Sequence, residues 1–521
     1  MLDTNTSYGG YVGVVFDSDA SGAWDEMFSA PGVPRPLYRR LLADIETQEV
    51  NELHQRAEQL ARTFIDRGVT FAHSGEERPF PLDIMPRIIG ALEWHQLSLG
   101  IAQRVRALEA FLADIYGEGR CFSEGIIPQR VVKSSPYFTR QGFGVTPPNG
   151  VRITVAGIDV IRDEAGSFRV LEDNIRIPSG VSYVIENRRA MTQTFSPLFS
   201  NHRVLPVDSY PAKLLAALVA SAPAGVENPV VVVLTPGVHN AAYFEHVLLA
   251  RMMGVELVEG RDLVCRSNHV YMRTTAGERA VHVIYRRVDD DWLDPLQFRP
   301  SSVIGVAGLV NAARAGNVTI SNAIGNGVAD DKLVYTYVPD FVRFYLGETP
   351  LLDNVETHRL DNDAVRHDVL SRLDNFVIKP VDGSGGKGIV IGPQASEEEL
   401  AHVREEVTAN PRNWIAQRPV ALSTHPTFVD DHISSRHIDL RPFAVSSGDD
   451  IWVLPGGLTR VALGKGELIV NSSRGGGSKD TWVLSDEGVP MTATAPEATS
   501  AALLGAPQQN DEYRGNEEEQ Q

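Results

Sequence analysis

Cysteine is nearly absent: Cys121 and Cys265 are the only two in 521 residues. Two thiols so far apart form neither a zinc pattern nor a disulfide framework, which excludes a small cystine-stapled secreted domain and favours a reducing compartment. Positive charge is also short, with 48 Lys and Arg against 67 Asp and Glu, a net charge of −19. Such a chain repels phosphate backbones and anionic membranes, so neither nucleic acid nor a membrane surface is expected as a partner. An anionic ligand must find a pocket of locally reversed sign. Long apolar runs are missing too, and none approaches the roughly 20 residues of a spanning helix. Met1–Tyr8 is polar and has no charged segment leading into an apolar one, so no signal peptide is read there. The expectation is a cytoplasmic protein; oligomeric state has no signature.

What is present is an ordinary globular mix, 43% apolar and 22% charged, with material for about two to four domains. Residues 1–130 read as mostly helical. Leu41, Leu42, Ile45, Val50, Leu53, Ala57, Leu60 and Phe64 recur at helical intervals within Leu37–Asp66, and Leu97, Ile101, Val105, Leu108, Phe111 and Ile115 do so within Ile88–Tyr116. Residues 131–205 turn to short β-rich runs, and Val151–Glu172 predicts a β-hairpin turning at Asp163–Gly166. Residues 206–345 alternate buried strands with a helix-like Ala241–Met253, which predicts a Rossmann-like α/β unit. Residues 346–487 return to strand pairs around a helix-like Glu397–Val407. Residues 488–521 are poor in apolar residues and acidic, and read as a disordered tail.

Chemistry concentrates in three places. Between Phe376–Lys379 and Ile389–Ile391 runs Gly383-Ser384-Gly385-Gly386-Lys387-Gly388. A dinucleotide fingerprint would put a helix after these glycines, and a Walker A loop would put Ser or Thr after Lys387; here a β-branched strand and Gly388 follow. A protein kinase is excluded because Lys379 precedes the loop and no Asp-Phe-Gly occurs. What remains is a strand lysine and a glycine flap carrying a second lysine, suited to a polyphosphate because backbone N–H groups approach oxygens closely. An ordinary glycine hairpin is the alternative. Second, Glu172 and Asn174 share one strand face, and Asp159 comes opposite Glu172 if the hairpin turns as expected. Hard oxygen donors of this kind suit Mg²⁺; an acidic surface strand is the alternative. Third, Asp439 and Arg441, then Arg460, then Asn471 and Arg474 suit an anionic transition state or, alternatively, salt-bridged strands.

Together these motifs resemble the ATP-grasp superfamily: Lys379 with its flap, Trp414-Ile-Ala-Gln417, Asp439-x-Arg441, Arg460, and Asn471-x-x-Arg474-Gly-Gly. Gly157-x-Asp159, Glu172-x-Asn174 and Pro178-x-Gly180 also match, but they precede the lysine instead of following Asn471. That rotated order is similar to circularly permuted ATP-grasp proteins of type 2, related to glutathionylspermidine synthetase. Arg286-Arg287 with its aspartates, Ala329-Asp-Asp-Lys332 and Phe71–Pro86 add to the likeness. The resemblance implies an α/β (α+β) permuted ATP-grasp fold with a Rossmann-like pre-ATP-grasp unit and a helical N-terminal region. It implies a ligase joining a small-molecule or peptide carboxylate to an amine through an acyl phosphate, with ATP and Mg²⁺. Lys379, Gly383, Ser384, Gly385, Gly386, Lys387, Gly388 and Gln417 would hold the nucleotide; Asp159, Glu172 and Asn174 the metal; Arg441, Arg460, Arg474 and Asn471 the acyl phosphate. In related ligases a basic residue accompanies the Gly-x-Asp strand, and only Arg152 is available for that place. A phosphotransferase-like relative and a catalytically silent nucleotide-binding scaffold remain as alternatives.

Overall fold

The computed structural model describes residues 22–47, 50–73, 76–383, 388–429, 432–464, 467, 470 and 476–485. Among them the largest sheet has seven strands, in the order Asp353–Asn354, Phe168–Asn174, Val155–Arg162, Arg441–Ser447, Asp450–Val461, Gly477–Val483 and Leu82–Ile89. Strands from both ends of the chain thus interleave. The hairpin at its heart turns where the sequence indicates: Asp163 Oδ1 accepts from Ala165 and Ser167 N–H, and Gly166 takes φ +80°. Apolar positions alternate along these strands, so Ile158, Val160, Val170 and Ala444 pack on one face against the long helix Ala91–Ile115.

A second sheet is antiparallel, ordered Thr357–Arg359, Trp414–Gln417, Val377–Pro380 and Val390–Ile391. Its small core joins Ile378 and Ala416 to Val369, Val403 and Val407 from the helices Asp363–Ser371 and Glu397–Ala409. The second helix starts on a capping box between Ser396 and Glu399. A third sheet, ordered Thr319–Ser321, Val283–Arg286, Val231–Leu234 and Glu256–Val258, is wholly parallel. The helix Tyr243–Met253 makes one crossover and ends at Gly254, whose φ of +69° lets the chain reverse. This is the Rossmann-like alternation expected from the continuous Val231–Leu234 run.

The helical reading of the first 130 residues needs amendment. Leu37–Asp66 is divided into helices Arg39–Glu46 and Val50–Asp66. Leu82–Ile89, partly read as helix, is a strand paired in parallel with Gly477–Val483. Pro86 obscures it, since proline suits only an edge strand, and this strand is the sheet's edge. Among the described residues no helix is long and apolar enough to cross a membrane. The tail from 488 onward lies outside the described residues.

Candidate functional site

The hairpin register decides which acids meet. Asp159 pairs across the strands with Glu172, and Gly157 with Asn174, so Asp159, Glu172 and Asn174 share one face. Asp173 points to the other, where Arg104 forks its carboxylate at 2.6 and 2.8 Å.

The next two strands bring the cations. Arg441 grips Asp159 through Nε on Oδ1 and Nη2 on Oδ2, the latter at 2.7 Å. Arg460 donates Nη2 to Asp159 Oδ2 at 2.7 Å and to Asp439 Oδ2 at 2.5 Å, while its Nε spans both Asp439 oxygens at 2.9 and 3.0 Å. Burial would raise both carboxyls. The two arginines overcome it at Asp159, which is held well below the usual range; at Asp439 burial wins and its affinity for protons rises.

From the opposite side the antiparallel sheet presents Lys379, whose strand pairs with Ile415 and Val390 neighbours. Desolvation lowers its ammonium to about 8, assisted by the like charge of Lys332 and opposed by Glu172. Lys332 lies 3.3 Å from Glu172 and donates to the Gly383 carbonyl at 2.6 Å, tying the acidic hairpin to the base of the glycine loop. Tyr137 O–H donates to the adjoining Asp382 carbonyl at 2.8 Å.

Between the two sheets runs a cleft of about 1060 Å³, its open mouth included. Its charged lining is Asp159, Glu172, Lys332, Lys379, Arg418, Asp439 and Arg460; its apolar lining includes Ile161, Leu171, Val377, Ile391 and Val420, with Gln417 among them. The lining thus combines groups that suit an anion with groups that suit an apolar ring. Gln417 is buried, and its amide donates to Thr357 Oγ1 at 3.0 Å. Gly383 lies on the cleft wall, and Gly388 turns with φ +73° at the far end of the loop. Ser384, Gly385, Gly386, Lys387, Asn471 and Arg474 lie outside the described residues.

Arg152 does not serve the cleft: it is buried against Tyr116 and donates to the Val145 and Ile324 carbonyls. The place beside Gly157 is taken by Arg441 from the neighbouring strand. A Cβ on Gly157 would stand 3.3 Å from Arg441 Cδ and 3.1 Å from Pro178 Cβ, so the glycine leaves room for that arginine's stem. Lys332 is the member that motif reasoning assigned no role. A single lysine at the start of the short helix Lys332–Tyr335 carries no signal beyond the Ala-Asp-Asp-Lys likeness.

Other clusters prove structural. His425 and His437 direct Nδ1 at the Pro426 and Leu422 carbonyls, and burial keeps both neutral. Arg287 pairs with buried Glu245, which also caps Gly180 and Ser182 N–H; Asp294 accepts from Leu296, Gly308 and Val310 N–H.

For a magnesium ion, Asp159, Glu172 and Asn174 offer only hard oxygen donors on one face. Asn174 Nδ2 is buried without a hydrogen-bond partner, an orphan that an amide turned to present its oxygen to a cation would resolve. The set fits the ion. Among the described residues no group of three or more His, Cys, Asp or Glu is arranged for a metal; this set has two carboxylates and an amide.

The family model for circularly permuted ATP-grasp type 2 matches residues 86–462. An uncharacterized protein of Mycobacterium tuberculosis (strain H37Rv) is 60% identical over 487 residues, covering 93% of this chain and 87% of that one. A putative glutamate–cysteine ligase of Frankia casuarinae is 47% identical over 464 residues, covering 88% of this chain but 53% of that protein. Among solved structures, a glutathione synthetase-like effector of Globodera pallida in its apo form shares the fold at 12% identity, with a TM-score of 0.55 over 84% of this chain and 98% of that one. The rotated motif order, the cleft between two sheets and the match over most of the chain agree: the protein belongs to the circularly permuted ATP-grasp type 2 family.

Proposed function

We propose that the protein is an ATP-dependent carboxylate–amine ligase that forms an amide or peptide bond through an acyl phosphate, acting on an amino acid or peptide. The observation that carries this reading is the meeting of Lys379, Lys332, Arg460, Asp159 and Glu172 in one cleft that is also lined by apolar side chains and Gln417. Such chemistry needs charge neutralisation and alignment more than a protein nucleophile.

In this reading the apolar lining receives the adenine, with Gln417 beside it. Lys379 binds the α- and β-phosphates, and Gly385 to Gly388 close over the β- and γ-phosphates. Asp159, Glu172 and Asn174 hold Mg²⁺, which supplies Lewis-acid neutralisation of the phosphate oxygens. Arg441 and Arg460, with Arg474 and Asn471, clamp the anionic acyl phosphate while the amine attacks its carbonyl carbon and phosphate leaves. Lys332 joins Lys379 at the phosphates, because its ammonium lines the same cleft.

The Frankia relative's name makes glutamate and cysteine the first substrates to try. That protein is nearly twice as long as the part this chain matches, so its name does not say which half carries the named reaction. Hydroxylamine trapping with MgATP across amino acids, glutamyl peptides and cell-extract fractions tests the reading. A hydroxamate formed with one donor names the acyl substrate; ADP release with no hydroxamate from any donor overturns the ligase assignment and favours phosphotransfer.

A further inference from the structure

The carboxylates assigned to the metal are already occupied by the protein's own cations. Both oxygens of Asp159 accept from Arg441, and Oδ2 accepts also from Arg460. Glu172 has Lys332 at 3.3 Å and Arg441 Nη2 at 3.9 Å. Asp159 is 1% exposed, so an incoming ion cannot share it through bulk water.

The two arginines are not held alike. Arg460 has a second carboxylate, Asp439, on three short contacts, and keeps a partner if it loses Asp159. Arg441 has Asp159, the Ser179 carbonyl at 3.2 Å, and a second carboxylate, Glu172, only at 3.9 Å. Exposure hardly separates the two, at 13% for Arg441 and 10% for Arg460; the difference is that Arg441 has no second carboxylate at hydrogen-bond distance. Arg441 is therefore the less firmly held of the two cations.

Charge points the same way. Among the described residues Arg441, Arg460, Lys332, Lys379 and Arg418 lie around Asp159, Glu172 and Asp439, a surplus of two positive charges. A bare divalent ion would add two more in a partly desolvated cleft. An anion arriving with it offsets that charge and offers the displaced guanidinium a bidentate partner.

We propose that Arg441 is a place-holder for the metal: it occupies Asp159 in the unloaded protein and yields to a divalent cation only when a polyphosphate draws it away. The proposal rests on the metal assignment above. It makes metal and nucleotide binding mutually dependent, with Arg441 as the residue through which each favours the other.

Equilibrium dialysis with Mn²⁺, read by electron paramagnetic resonance of the bound ion, tests it without turnover. Wild-type protein is expected to bind no stoichiometric Mn²⁺ alone, and to bind it with inorganic tripolyphosphate or a non-hydrolysable ATP analogue. Arg441→Gln should bind Mn²⁺ alone at least about tenfold more tightly than wild type, a change of the size seen when the partner of a ligating carboxylate is altered. Adding Glu172→Gln should abolish that gain, and Arg441→Lys, which keeps the cation, should behave like wild type. Wild type binding Mn²⁺ alone as tightly as Arg441→Gln overturns the place-holder while leaving the metal site intact. No bound Mn²⁺ in wild type even with the analogue removes the metal assignment and the place-holder with it. If Arg441→Gln does not fold, Arg441→Met takes its place in the same comparison with wild type for Mn²⁺ alone.

Discussion

Asp159 and Asp173 lie on one hairpin, and each is forked by an arginine, yet they face opposite sides of the sheet. Asp173 is sealed beneath the helix Ala91–Ile115: Arg104 is 4% exposed, binds Asn354 through Nη1, and stacks on Tyr335. Asp159 opens on the cleft and shares its arginines with Asp439 and the Ser179 carbonyl. The same ion pair is therefore a rivet on one face and an exchangeable contact on the other. Access to a second anion, not the strength of the fork, separates the two.

The largest expected effect breaks the rivet. Arg104→Leu leaves the Asp173 carboxylate buried without its partner and should cost about 3–5 kcal/mol of stability. Urea denaturation measures this, and a loss below about 1 kcal/mol would make Asp173 as dispensable as a surface charge. Replacing both partners by apolar residues should recover much of the loss, because an unpaired buried charge is the main penalty.

Next comes the cleft face. Glu172→Gln keeps the shape of a partly exposed side chain and should leave the urea midpoint nearly unchanged, while lowering ATP-dependent hydroxamate formation by about 10²–10³-fold. Equal losses of stability and turnover would erase the distinction between the two faces.

Much of this is legible in the sequence. The turn at Asp163–Gly166 brings Asp159 near Glu172, but its register alone would pair Asp159 with Leu171; a register shift between Asp159 and Val160 makes Glu172 the partner and puts Asp173 on the other face. The glycine loop between two strands, the capped helix at Glu397 and the parallel strand at Val231 follow from local pattern. Destinations of the arginines do not. Arg441 and Arg460 reach Asp159 across 282 and 301 positions, and although the Asp-x-Arg likeness marks Arg441, no local pattern says which carboxylate either arginine meets. Lys332 needed the sheet packing that sets it beside Glu172, and Leu82–Ile89 needed its partner strand near the far end of the described chain.

A third pair lies between the two extremes. Glu26, in a segment before the family match, is buried against Arg87 and Arg162, and Arg87 Nη1 donates to the Asp439 carbonyl at 3.2 Å. Burial alone would raise this carboxyl, but the two guanidinium groups hold it down at about 2. A carboxyl depressed by folding stabilises the fold above its unfolded value near 4.5 and loses that contribution as pH falls toward 2. The loss should approach roughly 3 kcal/mol, and Glu26→Gln should flatten that part of the acid limb. An acid limb unchanged by Glu26→Gln would show that the segment only rests on the core.

The smallest effect is the most informative about the cleft, because pH moves stability and ligand affinity in opposite directions there. Lys379 titrates at about 8, against an ordinary value of 10.5. Between those values the unfolded chain binds more protons than the folded one, so this lysine makes the fold more stable as pH rises. Nucleotide phosphates require the charged ammonium, so affinity for an ATP analogue should instead fall, by about tenfold from pH 7 to pH 9. Lys332→Met removes a neighbouring like charge and should move the midpoint of that fall upward; Glu172→Gln removes the opposing carboxylate and should move it downward. Calorimetric titration across pH reads the midpoint separately from the absolute affinity, which both substitutions also change. Midpoints that stay together in all three proteins would mean that another group controls the limb, and that the cations of the cleft face act as independently as the sealed pair behind it.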